Sequence, residues 1–190
     1  MIKSLSIIFP LYNESKRLKY CFEDIKKFNA QKKIKSLEYI FVDDGSTDES
    51  AQIIKKFITK KKEKKNVRYK FLKISKNQGK GNALSRGFRI ASKNWILTID
   101  TDISVSILEL NKWLKIKNIK FYNNIFFGSR NLKNSIVKFE YHRKLIGLVF
   151  IFLTKFFFNI KLNDTQCGFK LYPKKEGKKI FENLTDKGFA

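Results

Sequence analysis

Short apolar segments alternate along this chain with longer segments in which apolar residues recur at helical spacing. The apolar segments cover residues 4–9, 38–42, 67–74, 95–99 and 125–128. Strands that alternate with helices build βαβ units, in which parallel strands form a sheet with helices packed against it. The sequence therefore predicts an α/β protein with a mostly parallel sheet flanked by helices.

Four helices are predicted from apolar spacing, over 18–28, from Ser46 onward, over 83–91 and over 105–117. Ser46 is followed three residues later by Glu49, a capping-box pattern that predicts a helix start. Pro10 is predicted to break the first strand and begin a loop. Residues 164–170 place polar or small residues ahead of a further predicted short strand.

Length and composition favour a single domain over residues 1–190. The chain is 43% hydrophobic, which excludes a disordered chain despite 31% charged residues. It has only two prolines and no Gly/Ser-rich linker, so a second domain is not indicated. Cys21 and Cys167 suggest no disulfide framework and fit a reduced compartment. No run reaches the roughly 18 consecutive apolar residues of a membrane-spanning helix.

The formal net charge of +24 is large for this length. It favours an acidic partner, such as nucleic acid, an anionic membrane surface or a phosphorylated substrate. A genome-wide bias toward lysine explains much of the excess equally well. Charge alone therefore leaves these classes of partner open.

Polar clusters follow four of the predicted strands at the point where each strand ends. They are Tyr12–Glu14, Asp43–Ser46, Asp100–Asp102 and Arg130. Ligands of open parallel sheets bind beyond the carboxyl ends of the strands. We therefore expect these four clusters to converge on one ligand site.

Asp100 and Asp102 place two carboxylates one residue apart at the end of a strand. Mg²⁺ and Mn²⁺ prefer oxygen ligands and often take only one or two from protein, while substrate phosphates supply others. A rival interpretation is the nucleophile and acid of haloacid-dehalogenase-like phosphatases, which have an Asp-x-Asp pattern after a strand. There the pattern follows the first strand, whereas here three predicted strands precede it.

Gly79, Lys80 and Gly81 form a glycine-rich turn before a predicted helix. The turn does not fit the P-loop pattern, yet it offers backbone N–H groups and a lysine to an anion. Asp43 and Asp44 fit helix-capping and turn roles, and Asp43, which is nearer the strand end, can also accept hydrogen bonds from a base or a ribose hydroxyl. Tyr12 either stacks on a planar base or packs on its own strand.

Residues 145–158 are rich in Phe and Leu, with basic residues at both ends. A buried helix and a helix lying in a membrane interface explain this composition equally well. A nucleophilic Cys167 would need a His partner, for which the sequence offers His142 alone, so Cys167 is interpreted as a small packing residue.

Six motifs occur in a fixed order along nearly the whole chain: FPLYNES, FVDDGSTDES, NQGKGNALSRGF, ILTIDTDIS, FGSR and DTQCGFKLY. Together they resemble the inverting family 2 glycosyltransferases, which have the nucleotide-diphosphosugar-binding GT-A fold, a Rossmann-like α/β fold. Within that family they are similar to the dolichyl- or polyprenyl-phosphate glucosyl- and mannosyltransferases. DTQCGFKLY is the most specific motif and resembles the dolichyl-phosphate β-glucosyltransferase type.

This resemblance implies a donor site. Nucleotide-sugar-binding roles fall on Pro10, Tyr12, Glu14, Asp43, Lys80 and Asp100. The first four would line the base and ribose, and Lys80 would lie toward the diphosphate. Asp102, with Asp100, would ligate Mg²⁺ or Mn²⁺.

The resemblance also implies an acceptor site and a catalytic set. Asp100, Asp102, Arg130 and Gln166 would form the catalytic set. Arg130 and Arg143 would hold the phosphate of the acceptor, and Gln166 would sit at the sugar and acceptor.

The implied reaction is metal-dependent transfer of a hexose, expected to be glucose from UDP-glucose, to a polyprenyl or dolichyl monophosphate with inversion. The expected partners are the nucleotide-sugar donor, the lipid acceptor and a membrane surface, with a peripheral location on its cytoplasmic face. Family members continue through a Phe-Asp-x-Glu segment beyond this chain's last residues. The chain is therefore expected to be a catalytic domain cut short at its C-terminus.

Two alternatives remain open from the sequence. A family 2 transferase with a polysaccharide or soluble acceptor would keep the nucleotide site without needing Arg143 or the Phe-rich segment. A non-enzymatic basic module would bind nucleic acid with strong salt dependence. The second alternative gives no reason for acidic clusters at three strand ends, so no nucleic-acid partner is expected. The oligomeric state is not predicted.

Overall fold

The computed structural model describes residues 2–30, 34–61, 66–116, 124–129, 164 and 166–184. In these ranges the strands are β1 Ser4–Leu11, β2 Ser36–Asp43, β3 Val67–Lys73, β4 Trp95–Thr98, β5 Phe126–Phe127 and β6 Lys170–Pro173. The α-helices are α1 Leu18–Ala30, α2 Ser50–Thr59, α3 Lys80–Ile90, α4 Leu110–Trp113 and α5 Lys174–Glu182. A 3₁₀ turn, Ile107–Glu109, precedes α4.

The described strands form one sheet in the order β3-β2-β1-β4-β6-β5. β1 pairs in parallel with β2 and with β4, and β2 pairs in parallel with β3. β6 runs antiparallel to both β4 and β5. The prediction of an α/β protein with a mostly parallel sheet flanked by helices is confirmed, and the carboxyl ends of β1, β2 and β4 meet at one edge.

Successive residues of β1 point to opposite faces of the sheet, so each face has its own hydrophobic core. Ile7 and Phe9 join the cluster that includes apolar residues of α1 and α2. Ile8 joins the cluster on the other face, where Phe88 of α3 stacks on Phe181 of α5 with ring centroids 4.1 Å apart. Burial on both faces explains why the central strands read as continuous apolar runs.

The predicted start of the second helix at Ser46 is wrong, because α2 begins at Ser50. The hydroxyl oxygen of Ser46 instead accepts a hydrogen bond from the backbone N–H of Asn13 (2.9 Å). Ser46 thus links the loops after β1 and β2 instead of capping a helix.

Two other predicted boundaries also shift. The predicted helix over 105–117 is shorter, with the 3₁₀ turn followed by four residues of α4. That turn is held by α1, whose Asp24 carboxylate accepts hydrogen bonds from the Ser106 hydroxyl and the Ile107 N–H, both 2.6 Å long. Pro10 does not break β1, which continues to Leu11. A proline this close to a strand end removes only one potential donor from the sheet.

A buried carboxylate, Glu38 of β2, ties α3 to the sheet at the edge opposite the predicted site. It accepts hydrogen bonds from the hydroxyl of Ser6 (2.6 Å) and from both the N–H and the hydroxyl of Ser92 (2.9 Å each). The Lys70 ammonium lies 2.8 Å from the same carboxylate and also donates to the Ile90 carbonyl (2.7 Å). This network fixes the end of α3 and therefore the direction in which its other end points.

None of the helices in the described ranges has the length and apolar character to cross a bilayer. The segment 145–158, for which a buried or interfacial helix was predicted, lies outside the described residues, as do Arg130 and Arg143.

Candidate active site

A cavity of about 330 Å³ opens at the edge where β1, β2 and β4 end. It is lined by six of the predicted site residues, namely Pro10, Tyr12, Glu14, Lys80, Asp100 and Asp102. Its other walls include Asp44, Asn77, Gly79 and Thr101. The structure therefore brings three of the predicted strand-end clusters to one cleft, with the start of α3 on the side facing them.

The loops after β1 and β2 are joined by hydrogen bonds that hold the first wall of the cleft. Asn13 has a left-handed backbone (φ +55°), and its side-chain oxygen accepts from the N–H of Thr47 (3.0 Å). The N–H of Glu14 donates to the hydroxyl of Ser50 (2.9 Å), the first residue of α2. The start of α2 thereby sets the position of Tyr12 and Glu14.

The two adjacent aspartates after β2 occupy different environments. Asp43 is fully buried, and one of its carboxylate oxygens accepts from the N–H of Ser46 (2.8 Å). Its other oxygen is buried and has no hydrogen-bond partner within the described part of the chain. Asp44, which had no individual ligand-binding role in the sequence analysis, reaches the cleft and accepts from the N–H groups of Gln78 (3.1 Å) and Gly79 (2.7 Å).

Gly45 makes the close approach between the β2 loop and the loop before α3 possible. Its backbone is left-handed (φ +77°), and a Cβ there would lie 2.5 Å from the backbone carbon of Lys76. Only glycine combines that conformation with that contact. The glycine of the DDGS motif thus lets Asp44 hold the turn that leads into α3.

Asp100 faces the first residue of α3 across the cleft. Its carboxylate lies 2.6 Å from the ammonium of Lys80, with both side chains about one third exposed (31% and 35%). The predicted cation-binding carboxylate and the predicted diphosphate-binding lysine are therefore paired with each other.

The turn that carries Asp102 is fixed from two sides. The hydroxyl of buried Thr101 donates to the carbonyl of Pro10 at the end of β1 (2.9 Å). Ile103 has a left-handed backbone (φ +54°), which is a strained conformation for a β-branched residue. The Asp102 carboxylate accepts from the N–H of Ser104 (2.9 Å). Asp102 is itself exposed and lines the cleft, so a ligand there can reach its carboxylate.

The segment before β6 packs directly beneath Asp100. A Cβ on Gly168 would overlap the Asp100 carboxylate, and the Gly168 carbonyl accepts a hydrogen bond from the hydroxyl of Thr98 (2.8 Å). Lys170 follows on β6, paired with Thr98 in the antiparallel ladder. A smaller cavity lined by Gly168 and Lys170 adjoins the cleft and shares Lys80 and Asp100 with it.

Charged groups in this region shift one another's pKa. Burial raises the pKa of Glu14 above its ordinary value of 4.5, the neighbouring Arg17 opposes the rise, and the charge of Asp102 adds to it. Burial lowers the pKa of Lys170 below 10.5, the Lys80 ammonium lowers it further, and Asp100 is among the groups that raise it. The cleft region thus combines three carboxylates, those of Glu14, Asp100 and Asp102, with two lysines, Lys80 and Lys170.

The donor set fits a hard divalent cation that is completed by substrate. In the described residues no three His, Cys, Asp or Glu side chains gather into a metal-binding group. Asp100 and Asp102 nevertheless offer two carboxylates at the mouth of the cleft, and Mg²⁺ in phosphate-transfer sites takes only one or two. A cation here would need phosphate oxygens from a ligand to complete its coordination.

Several predicted residues lie apart from this cleft or outside the described residues. Gln166 is exposed, and its N–H donates to the carboxylate of Asp164 (3.1 Å). Arg130 and Arg143 are not described. Cys167 is buried, which agrees with a packing role.

Sequence reasoning assigned no individual ligand-binding role to four residues that shape the cleft region: Asp44, Thr101, Gly168 and Lys170. Each lies within a motif already singled out, so their motif membership was the available signal. Which side chain of a motif points into the cleft depends on strand register, which the motifs do not report.

The fold and cleft together define a GT-A type nucleotide-diphosphosugar fold. The solved mannosyl-3-phosphoglycerate synthase from Rubrobacter xylanophilus superposes with a TM-score of 0.61 and covers 91% of this chain and 54% of its own, at 14% identity. That likeness concerns the fold alone. The family model for Glycosyl transferase family 2 matches residues 6–181, so this chain belongs to glycosyl transferase family 2.

Curated relatives agree with the resemblance seen in the motifs. The chain is 32% identical over 189 residues to the dolichyl-phosphate beta-glucosyltransferase of Dictyostelium discoideum, covering 95% of this chain and 57% of that protein. It is 32% identical over 192 residues to the Homo sapiens protein of the same name, covering 96% of this chain and 58% of that protein. The chain thus spans a little over half the length of these relatives.

Proposed function

We propose that this chain binds UDP-glucose and transfers its glucose to a dolichyl or other polyprenyl monophosphate. The observation that carries the proposal is the cleft in which Asp100 and Asp102, at the end of β4, face Lys80 at the start of α3. Two carboxylates opposite a lysine and a helix N-terminus suit a metal-bound diphosphate. The names of the curated relatives support the choice of sugar and acceptor.

The donor would lie along the cleft with its base toward β1. Tyr12 is 43% exposed at the cleft, so its ring is available to stack on a base. Glu14, in the same loop, offers a hydrogen-bond acceptor to a base or ribose. Buried Asp43 would support this base and ribose end of the site by accepting from the N–H of Ser46 in the loop after β2. Lys80 and the backbone N–H groups at the start of α3 would take the diphosphate.

Asp100 and Asp102 would hold Mg²⁺ or Mn²⁺, which supplies charge stabilisation to the departing diphosphate when it is bound. Asp100 would exchange its ion pair with Lys80 for this role, which frees the lysine for a phosphate oxygen. The fixed turn around Thr101 would keep Asp102 in place without reorganisation during the reaction.

The acceptor needs little help from a general base. The second pKa of a phosphate monoester is about 6, so a lipid phosphate is already largely a dianion at neutral pH. One of its oxygens attacks the anomeric carbon of glucose, forming a new C–O bond as the bond to the UDP oxygen breaks. In-line attack inverts the anomeric centre, so an α-linked donor gives a β-linked lipid phosphate.

Apart from Gln166, the acceptor side of the proposal rests on residues outside the described ranges. Arg130 and Arg143 would hold the lipid phosphate, because guanidinium groups form paired hydrogen bonds with phosphate oxygens. Gln166 would contact the sugar or the acceptor. The Phe-rich segment 145–158 would lie at the cytoplasmic surface of a membrane, where the basic chain would be attracted to anionic lipids.

A transfer assay tests this function directly. The chain is incubated with radiolabelled UDP-glucose, Mg²⁺ or Mn²⁺, and dolichyl phosphate in detergent, and the lipid product is analysed for its anomeric configuration. We expect a β-linked glucosyl lipid with UDP-glucose and much less product with GDP-mannose. Transfer to a soluble glycan but not to the lipid would favour a family 2 transferase with another acceptor.

The variant Arg143→Ala tests the acceptor site. It is expected to reduce transfer to the lipid, and unchanged transfer would contradict a role of Arg143 in binding the acceptor phosphate.

A further inference from the structure

Lys170 is a charged residue of the cleft region to which the proposed function assigns no role. It is partly buried on β6, and no carboxylate in the described part of the chain lies within ion-pair distance of its ammonium. The ammonium lies 5.7 Å from the ring centroid of Phe127. An aromatic ring attracts a cation but does not neutralise it. A partly buried ammonium without an anion is costly unless a ligand supplies one.

The position of Lys170 relative to Asp100 is fixed by the sheet. Thr98 pairs with Lys170 in the β4–β6 ladder, and the Thr98 hydroxyl also donates to the Gly168 carbonyl (2.8 Å). A Cβ on Gly168 would overlap the Asp100 carboxylate, so this segment lies in contact with that side chain. Lys170 therefore starts from a rigid element next to the proposed cation site.

Two cavities meet at this point. The cleft and the smaller cavity share Pro10, Lys80 and Asp100, while Tyr12 lines only the cleft and Lys170 only the smaller cavity. Consider a nucleotide with its base on Tyr12 and its phosphates next to Lys80. The phosphate farthest from its base would then lie nearest to Lys170.

Charge balance points the same way. The two carboxylates of Asp100 and Asp102 would balance the charge of one divalent cation. A nucleoside diphosphosugar then brings two further negative charges, of which Lys80 balances one. Lys170 is placed to balance the other. Its positive charge would also stabilise the additional negative charge that the diphosphate acquires when the sugar leaves.

We propose that Lys170 binds the distal phosphate of a nucleoside diphosphate, on the opposite side of Asp100 from the base. With Lys80 it forms a pair of ammonium groups that flank Asp100. The inference rests on the proposed donor site, and it adds a phosphate-binding residue from the last strand of the sheet to that site.

The test compares Lys170→Met, Lys170→Arg and the unchanged chain by isothermal titration calorimetry with UDP and with UMP, each with Mn²⁺. A lost charge-assisted hydrogen bond is worth about ten-fold or more in affinity. We expect Lys170→Met to weaken UDP binding by about that factor and UMP binding by less than about two-fold. Lys170→Arg keeps the charge and is expected to stay within about three-fold for UDP.

Lys174→Met is the matched control. Lys174 lies four residues further on, at the start of α5, and its ammonium donates to the Ser92 carbonyl away from the cleft (3.2 Å). This control is expected to leave the affinity for UDP unchanged.

The outcomes separate this inference from the proposed function. Equal loss of UDP and UMP affinity in Lys170→Met, or no loss of either, contradicts the role of Lys170 and leaves the proposed function intact. Weaker binding to vesicles that contain dolichyl phosphate, with unchanged UDP affinity, assigns the lysine to the acceptor and overturns the donor assignment. An unchanged chain that binds neither UDP nor any other nucleoside diphosphate contradicts the proposed function, and the inference falls with it.

Discussion

The ammonium of Lys80 lies 2.6 Å from a carboxylate oxygen of Asp100, which joins the first residue of α3 to the residues that follow β4. Both side chains are about one third exposed, so the net contribution of the pair to stability is small, about 0 to 1 kcal/mol. Because Asp100 is also a proposed cation ligand, Lys80 and a divalent cation compete for the same carboxylate.

Replacing Lys80 with Met is expected to separate cation binding from nucleotide binding. Without the competing ammonium, the affinity for Mn²⁺ alone should rise about two- to five-fold, the range that corresponds to a surface ion pair. UDP affinity in the presence of Mn²⁺ should fall about ten-fold or more, because the diphosphate loses a charged donor. Both are measured by isothermal titration calorimetry.

Lys112→Met provides the control, since Lys112 forms a similar 2.6 Å ion pair with Glu109 on an exposed surface away from the cleft. It should change neither affinity. If Lys80→Met weakens Mn²⁺ binding in the absence of nucleotide, the competition does not exist.

Replacing Gly168 with Ala is expected to damage the cation site directly, and this damage should be seen in the folded chain whatever the change in its stability. The added Cβ would overlap the Asp100 carboxylate, so that side chain must move. Mn²⁺-dependent UDP binding should weaken about ten-fold or more, because a cation site tolerates little displacement of a ligand. Calorimetry at a temperature well below the unfolding transition measures it.

Gly177→Ala is the comparison for this change. A Cβ there would press on the ring of Phe88 in the core that α3 and α5 form against the sheet, and it would not touch Asp100. It should lower the melting temperature while leaving the UDP affinity of the folded chain intact. Equal loss of UDP affinity in both variants would show that Gly168 acts through overall packing.

The Thr101 hydroxyl should stabilise both the fold and the cleft. Thr101→Val keeps the shape but leaves the Pro10 carbonyl without its buried hydrogen bond, at an expected cost of about 1 to 3 kcal/mol in the free energy of unfolding. Thr101→Ser keeps the donor and should recover most of that loss. Urea unfolding measures the stability, and UDP titration shows whether the Asp102 turn loosens with it. Equal stability of the Val and Ser variants would contradict the role of the hydroxyl.

The Glu38 network makes a pH-dependent contribution to stability. Burial alone would raise the pKa of Glu38, but its bonds to Lys70, Ser6 and Ser92 outweigh burial and lower the pKa below 4.5. A lowered folded-state pKa means that this stabilisation is complete above the unfolded value and is lost as the pH falls through the folded value.

Glu38→Gln tests this contribution. At pH 7 it should lower the free energy of unfolding by about 1 to 3 kcal/mol, because Lys70 loses its buried partner. The difference from the unchanged chain should shrink as the pH falls below about 4.5. Glu109→Gln, at an exposed ion pair, should cost less than about 0.5 kcal/mol at any of these pH values. A pH-independent difference for Glu38→Gln would contradict the assignment.

Most of the sheet was predictable because its strands are buried on both faces and therefore appear as continuous apolar runs. The start of α2 was not, because Ser46 satisfies the pattern of a helix cap while its hydroxyl oxygen actually bonds to the N–H of Asn13 in another loop. Local patterns do not distinguish a partner three residues away from one in a neighbouring loop.

The cleft was predictable as a convergence of strand ends but not in its details. That Asp44 lines the cleft while Asp43 is buried depends on the register at the end of β2. Lys170 becomes part of the site only because β6 pairs with β4 in antiparallel orientation, next to Asp100. Neither the register at the end of β2 nor the pairing of β6 with β4 leaves a signal in the local sequence.

Metal-dependent donor binding tests the central claim most directly. UDP-glucose is titrated into the chain with Mn²⁺, with EDTA, and into Asp102→Asn with Mn²⁺. We predict tight binding only in the first case. In the other two the affinity should be at least about a hundred-fold weaker, because no bound cation neutralises the charge between the diphosphate and the remaining carboxylate groups. Equally tight binding in EDTA, or in Asp102→Asn, would contradict a donor site built on Asp100 and Asp102.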